Sequence, residues 1–274
     1  MKIALLGDIA FFGKYSLENN HNLYEYFQEV SEKLKEHDLV IGNLETPFSE
    51  SNTKPYGFKS AYIRSNPENL ELLKFLQIDI VNLANNHIYD FGANSYELTK
   101  KLLDEAKIKY FGVENRQLLI DFDDNKIALN GFCCYSTNPL GINSKKNKGI
   151  NELDVPTVKK KLIENAKNDL FNICSIHCGQ EHVNYPNYDH ILMARGLAKF
   201  APYVFYGHHP HVAQGIEKVN ESLLAYSLGN FFSTIFHSLL KTIKKTTIYR
   251  HPSETKESLK FHNTFQNIVS LRLR

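Results

Sequence analysis

The sequence predicts an α/β fold in which a layered β-sheet sandwich is flanked by helices. Short apolar runs alternate along the chain with stretches of helical periodicity, and no internal repeat interrupts this alternation. The composition is that of a globular protein, with 42% hydrophobic and 23% charged residues among 274. A chain of this length can bury roughly three quarters of its unfolded surface. Disordered, collagen-like and small disulfide-linked proteins are therefore excluded.

Apolar runs predict the strands, and periodic stretches between them predict the helices. The predicted strands are residues 2–6, 39–41, 78–83, 127–134, 172–176 and 203–206. The predicted helices are residues 23–35, 67–76, 94–106, 155–169 and 190–200. Turn-forming residues predict hairpins at Asp124-Asn125 and at Asn220-Glu221.

We expect one domain over residues 1–274, with a flap-like insertion at about 233–263. This insertion carries scattered lysines with weak periodicity, which suits a solvated flap or a surface that attracts anions. Two further segments, 46–64 and 136–151, are long for loops of a compact domain. Loops of that length are usually functional or mobile.

Charge and hydropathy exclude several classes of partner. The 32 Lys and Arg residues nearly balance the 30 Asp and Glu residues, so we expect no nucleic-acid partner. The apolar run at the start is broken by Asp8 and Gly13, which makes it too short for a signal peptide or a membrane span. We expect a cytoplasmic protein with no membrane span. The four cysteines lack a zinc-binding spacing and are expected to be reduced thiols.

Side chains able to bind metal or transfer protons follow nearly every predicted strand. Ligands collect at the carboxyl ends of strands in α/β sheets, so residues distant in sequence can converge there. Helix caps and histidines packed under loops are the alternative, but they do not require the concentrated GHHPH segment. The residues concerned are Asp8, Glu45, Asn85, Asn86, His87, His177, His208, His209 and His211.

The chemistry of this set suits a divalent transition metal. Carboxylates, an amide oxygen and imidazoles together favour Mn, Fe or Zn over the all-oxygen shell that Ca prefers. A carboxylate between two such ions can bridge them, and the pair can activate water. We therefore expect one or two divalent ions. Glu181 and His182, just beyond His177, are either solvated loop residues or members of the pocket.

Several ordered segments carry a family resemblance: GDIAFFG, GNLETP, NLANNHIYDFG, IHCGQEHVNYP, GHHPHVAQGIE and AYSLGNFF. Together they resemble the poly-gamma-glutamate capsule synthesis, or CapA-type, family, from about Gly7 to Phe232. That family is similar in fold to the calcineurin-like metallophosphoesterases. Each segment alone is a weak signal, but the joint occurrence of NNHxxDxG, GHHPH and SLGNF is highly specific.

The resemblance implies a role for each matching residue. His87 would be the general acid for the leaving group, oriented by Asp90. The family's short GHxH form is one residue shorter than GHHPH, so either His208 or His209 supplies one imidazole. The implied metal ligands are Asp8, Glu45 in the bridging position, Asn86, His177, His208 or His209, and His211.

The sequence departs from the phosphoesterase pattern at two ligand positions. Their first motif is DxH, whereas the position two residues after Asp8 is Ala10, so one imidazole is missing. Glu45 stands where those enzymes place a shorter aspartate. Both changes predict that one of two metal positions is weaker than the other.

Two functions follow from these features. The first is a metal-dependent hydrolase or transferase that acts on a phosphoester or an acyl or amide bond in capsule or cell-envelope polymer metabolism. Its substrate would be a small molecule or a polymer, and capsule synthesis proteins would be its partners. The alternative is a non-catalytic protein with a degenerate metal site that binds a polymer within a synthesis complex. Ala10 favours the alternative, and the intact NNH and histidine set favours the enzyme.

Overall fold

The computed structural model describes residues 1–122, 125–134, 139–145, 147–232 and 268–272. Its strands are β1 (Lys2–Ile9), β2 (Leu39–Leu44), β3 (Ile80–Asn82), β4 (Lys109–Phe111), β5 (Leu118–Phe122), β6 (Asn125–Cys133), β7 (Phe171–His177), β8 (Tyr203–His208), β9 (Ile216–Val219), β10 (Ser222–Ala225), β11 (Asn230–Phe232) and β12 (Ile268–Arg272). Its α-helices are α1 (Leu23–Leu34), α2 (Leu70–Phe75), α3 (Gly92–Glu105), α4 (Val155–Lys167) and α5 (Tyr188–Leu197). The flap-like insertion predicted at 233–263 lies outside the described residues.

The strands form two sheets that are parallel through their centres. The first sheet has the order β11-β1-β2-β3-β4, and β12 pairs antiparallel with β1. The second has the order β5-β6-β7-β8-β10-β9, in which β6, β7, β8 and β10 are parallel. Central parallel strands end at the same edge of their sheet, which places the residues that follow them side by side.

The two sheets pack face to face around a shared apolar core. Ile3 and Leu5 of β1 belong to the same buried cluster as Ile127 and Leu129 of β6. The alternate residues Ala4 and Leu6 point to the other face of the first sheet, where α1, α2 and α3 cover them. Because both faces of β1 are buried, its sequence reads as a nearly continuous apolar run.

Helices α4 and α5 cover the outer face of the second sheet. Leu162 of α4 and Leu197 of α5 lie in one buried cluster with Cys174 and Ile176 of β7. The start of α4 is defined by Asp154, whose side chain accepts a hydrogen bond of 2.9 Å from the backbone N–H of Thr157. The result is a four-layer α/β/β/α sandwich, which confirms the predicted fold class.

The predicted elements agree with the structure except at their ends and edges. Predicted β1, β2 and β8 are each extended by two or three residues toward their carboxyl ends. The predicted helix at 67–76 is a 3-10 turn, Pro67–Asn69, followed by α2. The hairpin at Asn220-Glu221 is confirmed by antiparallel pairing of β9 with β10. β4, β11 and β12 were not predicted, because the first two have only three residues and the last lies at a sheet edge beyond the predicted flap.

Candidate metal centre

Residues from both sheets meet at the carboxyl ends of the central strands. Asp8 lies near the end of β1, and Glu45 directly follows β2. His177 and His208 are the last residues of β7 and β8, and the register of these strands places them opposite each other. Every predicted ligand, together with His87 and Asp90, is buried. The structure thus brings the predicted site residues together in one buried region.

Asp8 lies at the centre of this group. Its Oδ1 atom is 3.0 Å from Nδ1 of His208, and its Oδ2 atom is 3.5 Å from Nδ1 of His211. Burial alone would raise the pKa of Asp8, but contact with His208 and the electrostatic influence of the neighbouring imidazoles outweigh burial and lower it. Asp8 is therefore the carboxylate that stays ionised.

Glu45 has the opposite electrostatic environment. Burial raises its pKa to about 8, the nearby Asp8 carboxylate adds to that rise, and His211 opposes it. Nε2 of His211 lies 3.7 Å from Oε1 of Glu45. Burial would lower the pKa of His211, but Glu45 and Asp8 outweigh it and raise that pKa. A buried carboxylate with so few compensating contacts is stabilised in its charged form by a nearby cation.

Several buried oxygen and nitrogen atoms that could act as metal ligands make no hydrogen bond to any described residue. Buried polar atoms almost always have a hydrogen-bond partner. Several buried polar atoms without one at the same place therefore indicate a site that binds a ligand. They are oxygen and imidazole nitrogen atoms, the donors that suit divalent transition metals. The atoms are both carboxylate oxygens of Glu45, Nδ1 of His177, Nε2 of His208, and Nδ1 of His209. These residues therefore fit a divalent metal ion.

A further cluster of atoms that could bind metal, apart from those around Asp8 and Glu45, surrounds His177. Its Nε2 atom is 2.9 Å from Oδ1 of Asn86, and its ring centroid lies 5.0 Å from that of His209. Burial lowers the pKa of His177 well below its usual value and that of His209 to about 4, so both rings are neutral and able to bind metal near pH 7. His208 also lies against Asp8. Both histidines that the sequence left open lie near His177, with ring centroids 5.0 Å away for His209 and 6.4 Å away for His208.

His87 and Asp90 form a hydrogen-bonded pair beside Asn86. Nδ1 of His87 lies 2.7 Å from Oδ2 of Asp90, which also accepts a 2.8 Å hydrogen bond from the backbone N–H of Ile63. Burial lowers the pKa of His87, whereas Asp90 raises it and Lys59 lowers it further. With Nδ1 held by Asp90, Nε2 is the ring nitrogen that remains for proton exchange.

Lys59 completes this pair, and sequence reasoning missed it. Its Nζ atom forms an ion pair with Asp90, donates a 2.6 Å hydrogen bond to the backbone carbonyl of Asn86, and lies 3.3 Å from Nδ1 of His87. Lys59 belongs to the segment 46–64, whose unusual length was the one available signal. Nothing in the local sequence distinguishes this lysine from a solvated one.

A line of two asparagines, Asn43 and Asn82, holds Asp8 in place, and sequence reasoning missed both. The register of β1, β2 and β3 aligns Asp8 with Asn43, and Asn43 with Asn82. Asn43 Nδ2 donates a 2.7 Å hydrogen bond to Oδ1 of Asp8, and Asn82 Nδ2 donates one of 2.9 Å to Oδ1 of Asn43. Asn230, which β11 places beside Asp8, has its Oδ1 atom 2.8 Å from Nδ1 of His211.

The sequence left two further positions open: Ala10, where an imidazole is missing from the phosphoesterase pattern, and Glu181, which is either a solvated loop residue or part of the site. Ala10 is fully buried, and its backbone N–H donates a 2.7 Å hydrogen bond to the carbonyl of Phe232. Glu181 is half exposed, and its Oε1 atom lies 3.9 Å from Nε2 of His209. His182 also lies here, with its ring centroid 6.0 Å from that of His211.

Two facing parallel sheets, outer helices and metal-type donors at the strand ends define the metallophosphoesterase-like class of folds. Two solved structures share this architecture. A protein from Staphylococcus aureus assigned as a 5'-nucleotidase has a TM-score of 0.52 at 13% identity and covers 82% of this chain and 48% of its own. The Haemophilus influenzae NAD nucleotidase has a TM-score of 0.51 at 13% identity and covers 83% of this chain and 42% of its own. At this level of identity the likeness establishes the fold alone.

The chain belongs to the family of bacterial capsule synthesis proteins, PGA_cap, which it matches over residues 2–235. It is 27% identical over 239 residues to the PGA biosynthesis protein CapA of Bacillus subtilis, covering 84% of this chain and 63% of that protein. It is 29% identical over 250 residues to the capsule biosynthesis protein CapA of Bacillus anthracis, covering 84% and 59%. The chain thus spans about three fifths of these relatives. The predicted family is confirmed.

Among the helices of the described ranges, none combines the length and the apolar character that crossing a membrane requires.

Proposed function

We propose that this protein is a metal-dependent hydrolase or transferase of capsule or envelope polymer metabolism, and that a phosphoester is the bond it acts on. One observation carries the proposal. Buried carboxylate and imidazole atoms without hydrogen-bond partners converge at the carboxyl ends of strands from both sheets, beside the His87–Asp90 pair. The family match supports a setting in capsule synthesis. Within that setting we propose a small molecule or a polymer as the substrate and capsule synthesis proteins as partners.

Two groups of residues would hold the ions. Donor atoms of Asp8, Glu45 and His211 lie within 4.8 Å of one another and form the first group. Asn86, His177 and His209 would form the second. Glu45, whose two carboxylate oxygens make no hydrogen bond to a described residue, would be the ligand that the two groups share. Divalent ions at such a centre supply Lewis acidity and an activated water molecule. Mn, Fe or Zn suits this mixture of oxygen and nitrogen donors.

His87 would act as the general acid. Asp90 accepts a hydrogen bond from Nδ1 of His87, which fixes the orientation of the ring. Nε2 is then the nitrogen that would deliver a proton to the leaving-group oxygen. Lys59 holds Asp90 and the backbone of Asn86 together, so that the proton donor and a proposed metal ligand keep a constant separation. Burial lowers the pKa of His87, so the protonated ring would give up its proton readily.

A second candidate function has one specific observation in its favour. Ala10 places a methyl group where the phosphoesterase pattern has an imidazole, and the residue is fully buried. A protein with such a reduced site could bind metal and polymer within a synthesis complex without turnover. The same metal-binding residues serve both functions, so only turnover separates them.

The decisive experiment combines metal analysis with turnover. The purified protein is dialysed against Mn²⁺, its metal content is measured by mass spectrometry, and hydrolysis of p-nitrophenyl and bis-p-nitrophenyl phosphate is followed beside a p-nitroanilide. We expect bound Mn²⁺ and turnover of a phosphate ester that Asp8→Asn abolishes. Bound metal with no turnover supports the binding function, and turnover of the anilide alone identifies an amide as the bond. Absence of bound metal contradicts both functions.

A further inference from the structure

A polar cleft lies between the loop that follows β1 and the segment 46–64. Its volume is about 180 Å³, far more than a single water molecule needs. The residues that line it have polar side chains, except for Phe12 and Gly13. None of these lining residues belongs to the proposed metal centre. The cleft is therefore a separate feature at the same end of the sandwich.

The cleft is close to the proposed centre because its walls continue the strands that carry the proposed ligands. Phe12 and Ser49, which both line it, come four residues after Asp8 and Glu45. Four residues of fully extended chain span at most about 14 Å, so both wall residues lie within that distance of the proposed ligands. A substrate whose reacting bond is at the centre can thus reach the cleft with another part of the same molecule.

The buried side chain of Asn69, just before α2, connects the two walls of the cleft. Its Oδ1 atom accepts a 2.8 Å hydrogen bond from the backbone N–H of Leu17, and its Nδ2 atom donates bonds of 3.1 Å to the hydroxyl oxygens of Ser16 and Ser65. The backbone N–H of Ser49 donates one of 3.0 Å to the carbonyl of Ser65. These bonds hold the walls in place before any ligand binds, which reduces the conformational entropy that binding costs.

Arg64 is the only cationic residue that lines the cleft in the described part of the chain, and its guanidinium is held in place. Nη1 donates a 3.1 Å hydrogen bond to the carbonyl of Glu50, and Cζ lies 5.5 Å from the ring centroid of Phe91. The preceding residue, Ile63, is hydrogen-bonded through its backbone to Asp90. No carboxylate of a described residue pairs with Arg64, although a guanidinium has five N–H donors. Arg64 therefore brings donors without an acidic partner to the wall of the cleft.

We propose that this cleft is a subsite for an anionic group, a carboxylate or a phosphate, that the substrate carries away from its reacting bond, and that Arg64 binds this group. The inference rests on the proposed function, because it assigns the cleft to the substrate of that centre. A guanidinium pairs with either anion through two parallel N–H···O bonds, which also fixes the orientation of the bound group. Glu18 lines the cleft as well, but it is exposed, so solvent screens its repulsion of the anion.

Calorimetric titration of the full chain with succinate, and separately with inorganic phosphate, tests the subsite. We expect the unmodified protein to bind at least one of them, and the tighter of the two identifies the group as a carboxylate or a phosphate. Arg64→Gln should weaken this binding by about tenfold or more. Arg64→Lys keeps the charge without the paired donors and should weaken it less. Glu18→Gln should strengthen it, because the variant removes a negative charge from the cleft.

Two further variants serve as controls. Arg116→Gln is the matched substitution, since Arg116 is exposed and does not line the cleft. It should bind the anion as the unmodified protein does. Asp8→Asn alters the proposed centre and should retain the anion binding that depends on Arg64. Thermal unfolding of each variant verifies that the fold is unchanged.

The results separate the subsite from the proposed function. Failure of the unmodified protein to bind either anion overturns the subsite. Anion binding that Asp8→Asn removes and Arg64→Gln leaves unchanged also overturns it, because the anion would then bind at the centre. Absence of bound metal and of turnover, with anion binding that depends on Arg64 retained, contradicts the proposed function instead, since the titration requires neither metal nor turnover.

Discussion

Asp8 and Glu45 are two buried carboxylates of one pocket whose pKa values shift in opposite directions. Asp8 has Asn43 and two histidines within reach, so contacts offset its burial and its pKa falls. Glu45 makes no side-chain hydrogen bond within the described ranges, so burial prevails and its pKa rises to about 8. Without metal, one of the pair is therefore ionised and the other protonated near neutral pH.

Glu45→Gln should stabilise the metal-free protein increasingly as the pH rises. Because the folded-state pKa lies above the usual value of 4.5, the folded chain retains a proton between about pH 4.5 and 8 that the unfolded chain has released. The free energy of unfolding of the wild-type protein therefore falls as the pH rises through this window. Glutamine does not titrate, so the variant shows no such fall. Between pH 5 and 8, the free energy of unfolding of Glu45→Gln should rise by more than about 1 kcal/mol relative to that of the wild type.

Urea unfolding in chelator at several pH values measures this difference. Glu221→Gln, an exposed substitution of the same kind, should follow the wild-type pH dependence. Parallel curves for Glu45→Gln and wild type would contradict the raised pKa of Glu45.

His87→Asn should lower turnover of a phosphate ester by roughly 100-fold or more, as expected for loss of acid assistance. Bound Mn²⁺, measured in the same preparation, should be nearly unchanged, because the proposed ligands do not include His87. His21→Asn, at an exposed position before α1, is the control. If metal is lost together with activity, His87 is a ligand and its role as an acid is wrong.

At the scale of elements, strand register and one long loop organise the site. β1, β2 and β3 align Asp8, Asn43 and Asn82, so that a hydrogen-bonded line crosses three strands at their carboxyl ends. The segment 46–64 adds Lys59 from outside the sheet. The strands thus orient a proposed ligand, and the loop holds the proposed acid.

Lys59→Met should release the segment 46–64 from the site. The substitution leaves the buried Asp90 carboxylate without its cation, and hydrogen bonds to charged groups contribute about 1.5 to 3 kcal/mol. We expect turnover to fall by about tenfold with bound metal retained, and amide hydrogens near Ile63 to exchange faster. The pH profile of turnover should also shift, since Lys59 acts on His87.

Lys54→Met is the matched control for this prediction, because Lys54 is exposed in the same segment. Equal hydrogen exchange and equal pH profiles in the two variants would show that Lys59 does not position the His87–Asp90 pair.

At the scale of the whole molecule, the proposed centre joins the two sheets. Asp8, Glu45 and Asn86 come from the first sheet or the turns that follow it, whereas His177, His209 and His211 come from the second. Bound metal would therefore connect the two halves of the sandwich at the end where the strands finish. Anything that binds only the folded chain stabilises it by mass action.

Mn²⁺ should raise the unfolding temperature of the chelator-treated protein. At a free concentration 100 times the dissociation constant, one site contributes about 2.7 kcal/mol. Calorimetry of protein dialysed with and without Mn²⁺ measures the shift. Asp8→Asn should respond much less, and an equal response in that variant would place the stabilising ion elsewhere.

The layered fold and the convergence of most candidate site residues were predictable from the sequence alone, because both depend on local pattern. Apolar runs buried on both faces end where polar residues begin, and parallel strands carry those ends to one edge. Asp8, Glu45, Asn86 and His177 are the residues at those ends. Their roles as ligands stay predictions.

Only the tertiary structure decided which groups approach one another across loops and registers. It placed the ring of His209 closer to His177 than that of His208, and Nδ1 of His208 beside Asp8. It also brought Lys59 to Asp90. Such contacts depend on the path of a loop relative to distant strands, and that path is determined by packing and hydrogen bonds over the whole chain rather than by local pattern.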